Sequence, residues 1–187
     1  MTEEFLVNCL LQNGVKLPWR SSSIIRHLTE VKVTTNIVDV VYFEKKGESE
    51  IGSIVAVEAK VKNWRRALQQ AYRDKLFADR VYVALPEEFS AAAISNLSEF
   101  KHASVGLIIV GTNKVRPYFD PPMNNWRSKH HVNIVKKELS MSETRNLAEN
   151  LARFEDKVDL FQLTFQNARR LISQKLFAFA NLLPHLL

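Results

Sequence analysis

The sequence predicts an α/β fold, and three observations predict it. Segments rich in β-branched and aromatic residues run from Glu30 to Thr35, Ile37 to Glu44 and Ile51 to Lys60, the last two joined by the polar, glycine-containing KKGESE. They are expected as antiparallel neighbours. From Asn63 the apolar spacing changes to that of a helix, which leads into a further strand, RVYVALP. A helix crossing between two strands marks an α/β sheet.

The composition permits such a fold. With 187 residues, 46% of them hydrophobic, the chain can bury one ordinary core and carry a small appendage, which argues against disorder. A formal charge of +6 and a sequence pI near 9.5 suit a polyanionic partner, either nucleic acid or an anionic membrane surface. The single cysteine, Cys9, excludes an internal disulfide framework and a thiolate zinc cluster, and points to the cytoplasm. The opening MTEEFLVNCLLQNG is acidic and its apolar run is broken by Asn8, Gln12 and Asn13, unlike a signal sequence. The tail LFAFANLLPHLL holds Pro184 and His185 and is shorter than the roughly 20 residues a bilayer crossing needs. A soluble protein with no membrane partner is expected.

Each element has a local reason. Thr2 can cap a helix from Glu3 to about Gln12, with Phe5, Leu6, Cys9 and Leu10 on one face and Asn13-Gly14 at its end. A second short helix is expected from Ser22 to Leu28, before the three β-rich segments. After Asn63, the positions Trp64, Ala67, Leu68, Ala71 and Lys75 share a stripe that Leu76 and Phe77 close. RVYVALP then reads as a strand, SAAAISNLSEFKH as a helix and VGLIIVG as a buried strand. The stretch RPYFDPPMNNW, Arg116 to Trp126, with Pro117, Pro121, Pro122, Asn124 and Asn125, reads as a linker or long loop. From Glu138 to Leu187 the chain reads as almost wholly helical. The expected division is a core over 1–120 and a helical extension over 121–187, packed on the core or used for dimerisation. Leu176, Phe177, Phe179, Leu182 and Leu183 are either packed core or a homodimer interface.

Phosphate-loop, HExxH, GxSxG and GxGxxG motifs are all absent, which removes the common nucleotide, zinc-protease, hydrolase and dinucleotide classes. What remains is Asp39, between Val38 and Val40, together with Glu58-Ala59-Lys60 at the end of an apolar strand. Side chains alternate across a strand, so Glu58 and Lys60 share a face. An Asp among β-branched residues is expensive to bury, and a Glu beside it adds repulsion. A divalent cation removes both penalties. Two carboxylates, a backbone carbonyl and waters suit Mg²⁺, and Lys60 can orient or activate an attacking water and offset phosphoryl charge. The grouping suits metal-assisted phosphodiester hydrolysis; taken alone, Glu58 with Lys60 would read as an ordinary surface ion pair.

The helix after this strand carries Arg65, Arg66, Arg73 and Lys75, with Arg80 just beyond, against Asp74 and Asp79. It is either a phosphate-contacting surface or a solvated face. Lys62 and Arg65 lie nearest the candidate site, and Arg127, Lys129, Lys136 and Lys137 form an alternative basic face. Gln69, Gln70 and Tyr72 are compatible with plain helix surface. His130-His131 lacks the neighbouring cysteines and the spacing of a zinc site.

At Asp39 in VDVV, at Glu58-Ala59-Lys60 in VEAK and along WRRALQQAYRDKLFADRVYVALP, the sequence resembles the PD-(D/E)XK nuclease superfamily, over roughly Glu30 to Val110. Val38 stands where that family's name-giving proline would be. The resemblance implies a restriction-endonuclease-like αβββαβ core with a mixed central sheet flanked by helices, to which the sequence pattern adds the C-terminal helical extension. It implies Mg²⁺, with Mn²⁺ as a substitute, held by Asp39, Glu58 and the Ala59 carbonyl, and Lys60 assisting as catalytic base. Glu30, with Glu4 as a rival, matches a further acidic residue of the family, and Gln70, with Gln69 as a rival, matches a helix glutamine. Lys62, Arg65, Arg66 and Arg73 are the expected nucleic-acid contacts. The expected function is a Mg²⁺-dependent nuclease acting on DNA, with a homodimer favoured if both strands are cut. The alternative is a noncatalytic nucleic-acid-binding or scaffold protein that keeps the fold.

Overall fold

The structure, a computed structural model, describes residues 1–13, 24–46, 50–112, 114–150 and 153. It divides into two compact units, Met1–Leu139 and Ser140–Leu187. In the second unit residues 140–150 are helical. Leu176, Phe177, Phe179, Leu182 and Leu183 lie outside the described residues, so the expected interface there has no structural account.

The first unit is built on a six-stranded mixed sheet flanked by helices. Helix α1 spans Glu3–Asn13, and the Thr2 hydroxyl accepts from the Phe5 N–H at 3.1 Å, which caps it as expected. Strands β1 (Ile24–Val33), β2 (Asn36–Lys46) and β3 (Glu50–Ala59) form an antiparallel meander. Helix α2 (Trp64–Asp74) carries the chain to β4 (Arg80–Pro86), which pairs parallel with β3. After a 3₁₀ turn, the short helices α3 (Ala91–Ser95) and α4 (Leu97–Ala103) lead to β5 (Gly106–Val110), parallel to β4. Strand β6 (Val115–Phe119) closes the sheet antiparallel to β5.

Alternation along the strands sends one set of side chains to each face. Val41, Phe43, Ile54, Ala56, Val83 and Leu85 join the buried face of α2 in one core, which Phe100, Val135 and Leu139 extend. Val40, Tyr42, Val55, Val57, Tyr82 and Ala84 meet Leu6, Cys9 and Leu10 of α1 in the other. Among the described residues no helix is long and apolar enough to cross a membrane.

Three expectations are corrected. Residues 24–28 belong to β1, not to a helix, because Leu28 pairs with Val41 and Ile24 with Glu44, giving β2 a partner for its outer backbone groups; Ser22 and Ser23 lie outside the described residues. The expected helix over SAAAISNLSEFKH is two helices, broken at Asn96. The stretch Arg116 to Trp126 is a loop only from Asp120 onward: Arg116–Phe119 lies in β6, where Pro117 is tolerated on an edge strand. Beyond it Asn124 donates its side-chain amide to the Lys75 and Ala78 carbonyls and its backbone N–H to the Asp79 carbonyl, tying the loop to the end of α2.

Gly106 has a packing reason. It lies directly across from Tyr82 on β4, and a Cβ there would overlap the tyrosine ring and sit 2.8 Å from Pro121 Cδ. Gly106→Ala is expected to destabilise the protein by about 1–3 kcal/mol, as other overpacking changes do. Thermal unfolding measures this, and an unshifted Tm would show that Tyr82 has room to move.

Candidate active site

The meander register assembles the acidic residues. The pairings Thr29↔Val40 and Val40↔Val57 form one row across three strands. The next row toward the same strand ends holds Glu30, Asp39 and Glu58. Ile54 and Ala56 face the α2 core, so Glu58 follows them onto that face. Asp39 Oδ2 accepts a hydrogen bond from the Ala59 N–H at 2.7 Å. The Lys60 N–H donates to the Ala84 carbonyl at 3.0 Å, and the chain then turns. Asn63, left-handed at φ 59°, ends the turn: its side chain accepts from the Arg66 N–H at 3.3 Å and caps α2.

Glu58 is only 1% exposed, and its Oε2 has no hydrogen-bond partner. Burial, reinforced by the negative charges of Asp39 and Asp74, pushes its carboxyl up to about 8 despite Lys60 nearby. Burial also raises Asp39, against the Ala59 hydrogen bond and Lys60, while Glu3 and Glu30 add repulsion. For Lys60, desolvation favours the neutral amine, but the Glu3 hydrogen bond and the charges of Asp39, Glu3 and Glu58 outweigh it, and the net displacement is upward. The Lys60 ammonium lies 2.9 Å from Glu3 Oε2.

Asp39, Glu58, Lys60 and Glu30 therefore come together electrostatically. Glu30 is exposed and left-handed at φ 52°, an uncommon backbone for a non-glycine residue. Both α1 glutamates, Glu3 and Glu4, are exposed, and it is Glu3 that meets the site, through Lys60. Gln70 turns inward, with Oε1 buried and unpartnered, whereas Gln69 is exposed. Ala59 meets Asp39 through its N–H.

Sequence reasoning missed Asp74. It is 2% exposed, accepts from Asn36 Nδ2 at 2.9 Å through Oδ1, and leaves Oδ2 unpartnered. Burial, with some help from Asp39, raises its carboxyl to about 7, against the Asn36 hydrogen bond. The signal was available: Asp74 stands three residues after Ala71 and so continues the buried stripe of α2. Lys75, four residues after Ala71, swings to the Ala103 carbonyl instead.

The basic residues separate into groups. Lys62 and Arg66 share with Glu3, Lys60, Val61 and Asn63 an open pocket of about 440 Å³. Arg65 lies over the Trp64 ring at 4.4 Å and pairs with Glu99 at 3.5 Å, and Arg73 lines a different depression. His130 and His131 meet edge to face at 5.4 Å, and His131 Nδ1 contacts Ser128 Oγ. Among the described residues no cluster of three or more His, Cys, Asp or Glu side chains is arranged to hold a metal ion.

No family model and no curated protein matches the chain. Two solved structures are similar to it. One is a protein of unknown function from Silicibacter pomeroyi, SPO1766, at 20% identity and a TM-score of 0.46, over 65% of this chain and 75% of that one. The other is SfsA of Pyrococcus furiosus in complex with Ca²⁺, at 15% identity and a TM-score of 0.34, over 64% of this chain and 61% of that one.

Proposed function

We propose that the chain is a divalent-cation-dependent nuclease of PD-(D/E)XK type, hydrolysing phosphodiester bonds of DNA. The observation that carries this reading is Glu58, a buried strand-end carboxylate with an unpartnered oxygen and two acidic neighbours. A core with no use for a charge there would be more stable with an apolar residue. The order helix, three antiparallel strands, helix, parallel strand supports the resemblance on which the reading draws.

Hard, buried carboxylate oxygens fit Mg²⁺ or Mn²⁺. Asp39 and Glu58 would hold the ion, and it would supply Lewis-acid stabilisation of charge on a phosphoryl oxygen. Lys60 has its own task. With its proton bound more tightly than usual, it works as an ammonium beside developing negative charge rather than as a base. Lys62 and Arg66, in the same pocket, would hold flanking phosphates without reading bases.

A second reading, a noncatalytic nucleic-acid-binding protein, is favoured by the lack of a three-carboxylate metal cluster among the described residues and by the hold of Glu3 on Lys60. Plasmid and single-stranded DNA incubated with Mg²⁺ or Mn²⁺, with EDTA as control, separate the two. Metal-dependent cleavage supports the nuclease; binding without cleavage under every metal transfers the chain to the second reading.

Cation binding is expected to expel a proton, because Glu58, raised to about 8, is mostly protonated at neutral pH and ligands must deprotonate. Calorimetry in buffers of different ionisation enthalpy should record that proton, and Mn²⁺ affinity should rise from pH 6 to pH 9. Asp39→Ala and Glu58→Ala should each weaken binding strongly. Equal affinity in wild type and both variants would remove the ion from this site.

A further inference from the structure

A second depression lies on the opposite flank of α2 from Gln70 and Asp74. It measures about 470 Å³ and is lined by Leu68, Gln69, Tyr72, Arg73, His102 and Ala103. The floor is apolar, since Leu68 is 8% exposed, whereas Tyr72 is 57% exposed despite its size. Its walls are fixed. Lys75 Nζ donates to the Ala103 carbonyl at 2.9 Å and lies 5.2 Å from the Tyr72 ring centre, and the Trp64 and Phe100 rings stack at 5.6 Å between α2 and α4.

The lining is chemically one-sided. An exposed aromatic ring, an aliphatic floor, an amide, a guanidinium and an imidazole converge, and no carboxylate lines the depression. The volume is in the range of small-ligand pockets, and the set suits a flat aromatic group that carries an anion. The surface between this depression and the Lys60 pocket has the same character. Arg66, Gln69 and Arg73 succeed one another at one-turn spacing on the exposed face of α2, whose only acidic residue, Asp74, is buried on the other side.

We infer that this depression holds an unstacked base of a single-stranded nucleic acid, the base lying on Tyr72 and its phosphate on Arg73, while the strand runs along Arg66 toward Lys60. The inference rests on the nucleic-acid reading above and adds a preference for single strands. A base within a duplex is stacked on both faces and cannot reach the ring, whereas an unpaired base can.

The test is binding of a fluorescein-labelled oligothymidylate and of a duplex of equal length to the full chain in EDTA, so that cleavage does not intervene. Tyr72→Ala should weaken single-strand binding about tenfold, the scale of one lost base stack, and leave duplex binding and the melting temperature unchanged. Tyr72→Phe should bind like wild type, and Arg73→Ala should flatten the salt dependence. Equal single-strand binding by Tyr72→Ala and wild type would overturn the inference and leave the nuclease reading standing. Equal losses for duplex and single strand would overturn it too, since stacking on an unpaired base would not be the cause. Unchanged oligonucleotide binding with altered self-association of Tyr72→Ala would give the depression to a second copy of the chain. A wild type that binds no nucleic acid at any salt would overturn both readings together.

Discussion

Lys60→Ala is expected to lower the rate of DNA cleavage by about 10²-fold or more, the scale of a single electrostatic group lost from a transition state, while metal binding persists. The variant leaves Asp39 and Glu58 in place and removes only the ammonium beside them. Folding should survive, because Lys60 is half-buried at a strand end and its side chain meets Glu3 at an exposed contact. Its raised pKa gives the prediction a further edge. A general base would impose a rate that climbs with pH as the amine loses its proton, whereas an electrostatic group imposes no such climb near neutrality. Cleavage by Lys60→Ala at the wild-type rate would deny it any part in the reaction. A rate profile that tracks lysine deprotonation would return it to the role of base.

The metal-free protein should lose stability as pH rises from about 5 to 9. Glu58 has its folded pKa raised from 4.5 to about 8, and Asp74 from 3.8 to about 7. Raised carboxylates favour the folded state while protonated, so their contribution is complete below the unfolded values and is lost as pH climbs through the folded ones. At about 1.4 kcal/mol for each tenfold in proton affinity, Glu58 alone sets a scale of roughly 5 kcal/mol. Relaxation and water entry reduce that figure. Urea unfolding in EDTA should show the decline, and Glu58→Gln should remove about half of it, leaving the share of Asp74, and be the more stable protein at pH 9. Excess Mg²⁺ should restore wild type but not the variant, since only the wild type keeps both carboxylates. A pH-independent wild type would mean that Glu58 ionises without penalty, and the main argument for a cation there would fall.

The sequence by itself determined the parts that depend on neighbours along the chain. Val41, Phe43, Ile54 and Ala56 alternate with polar or opposite-facing residues; that period-2 pattern specifies the meander, and the meander's register sets Asp39 across from Glu58. Asn63 and the stripe of Trp64, Ala67, Leu68 and Ala71 specify α2 in the same local way. Tertiary structure decided the rest. Residues 24–28 carry no strong local preference, and only the unpaired edge of β2 makes them strand. Arg116–Phe119, proline and all, pairs because β5 offers an edge. Glu3 stands 57 residues before Lys60, and Asp74 stands 38 residues after its partner Asn36. No period links such positions. Their meeting depends on how α1 and α2 settle on opposite faces of one sheet, and packing, not local propensity, decides that.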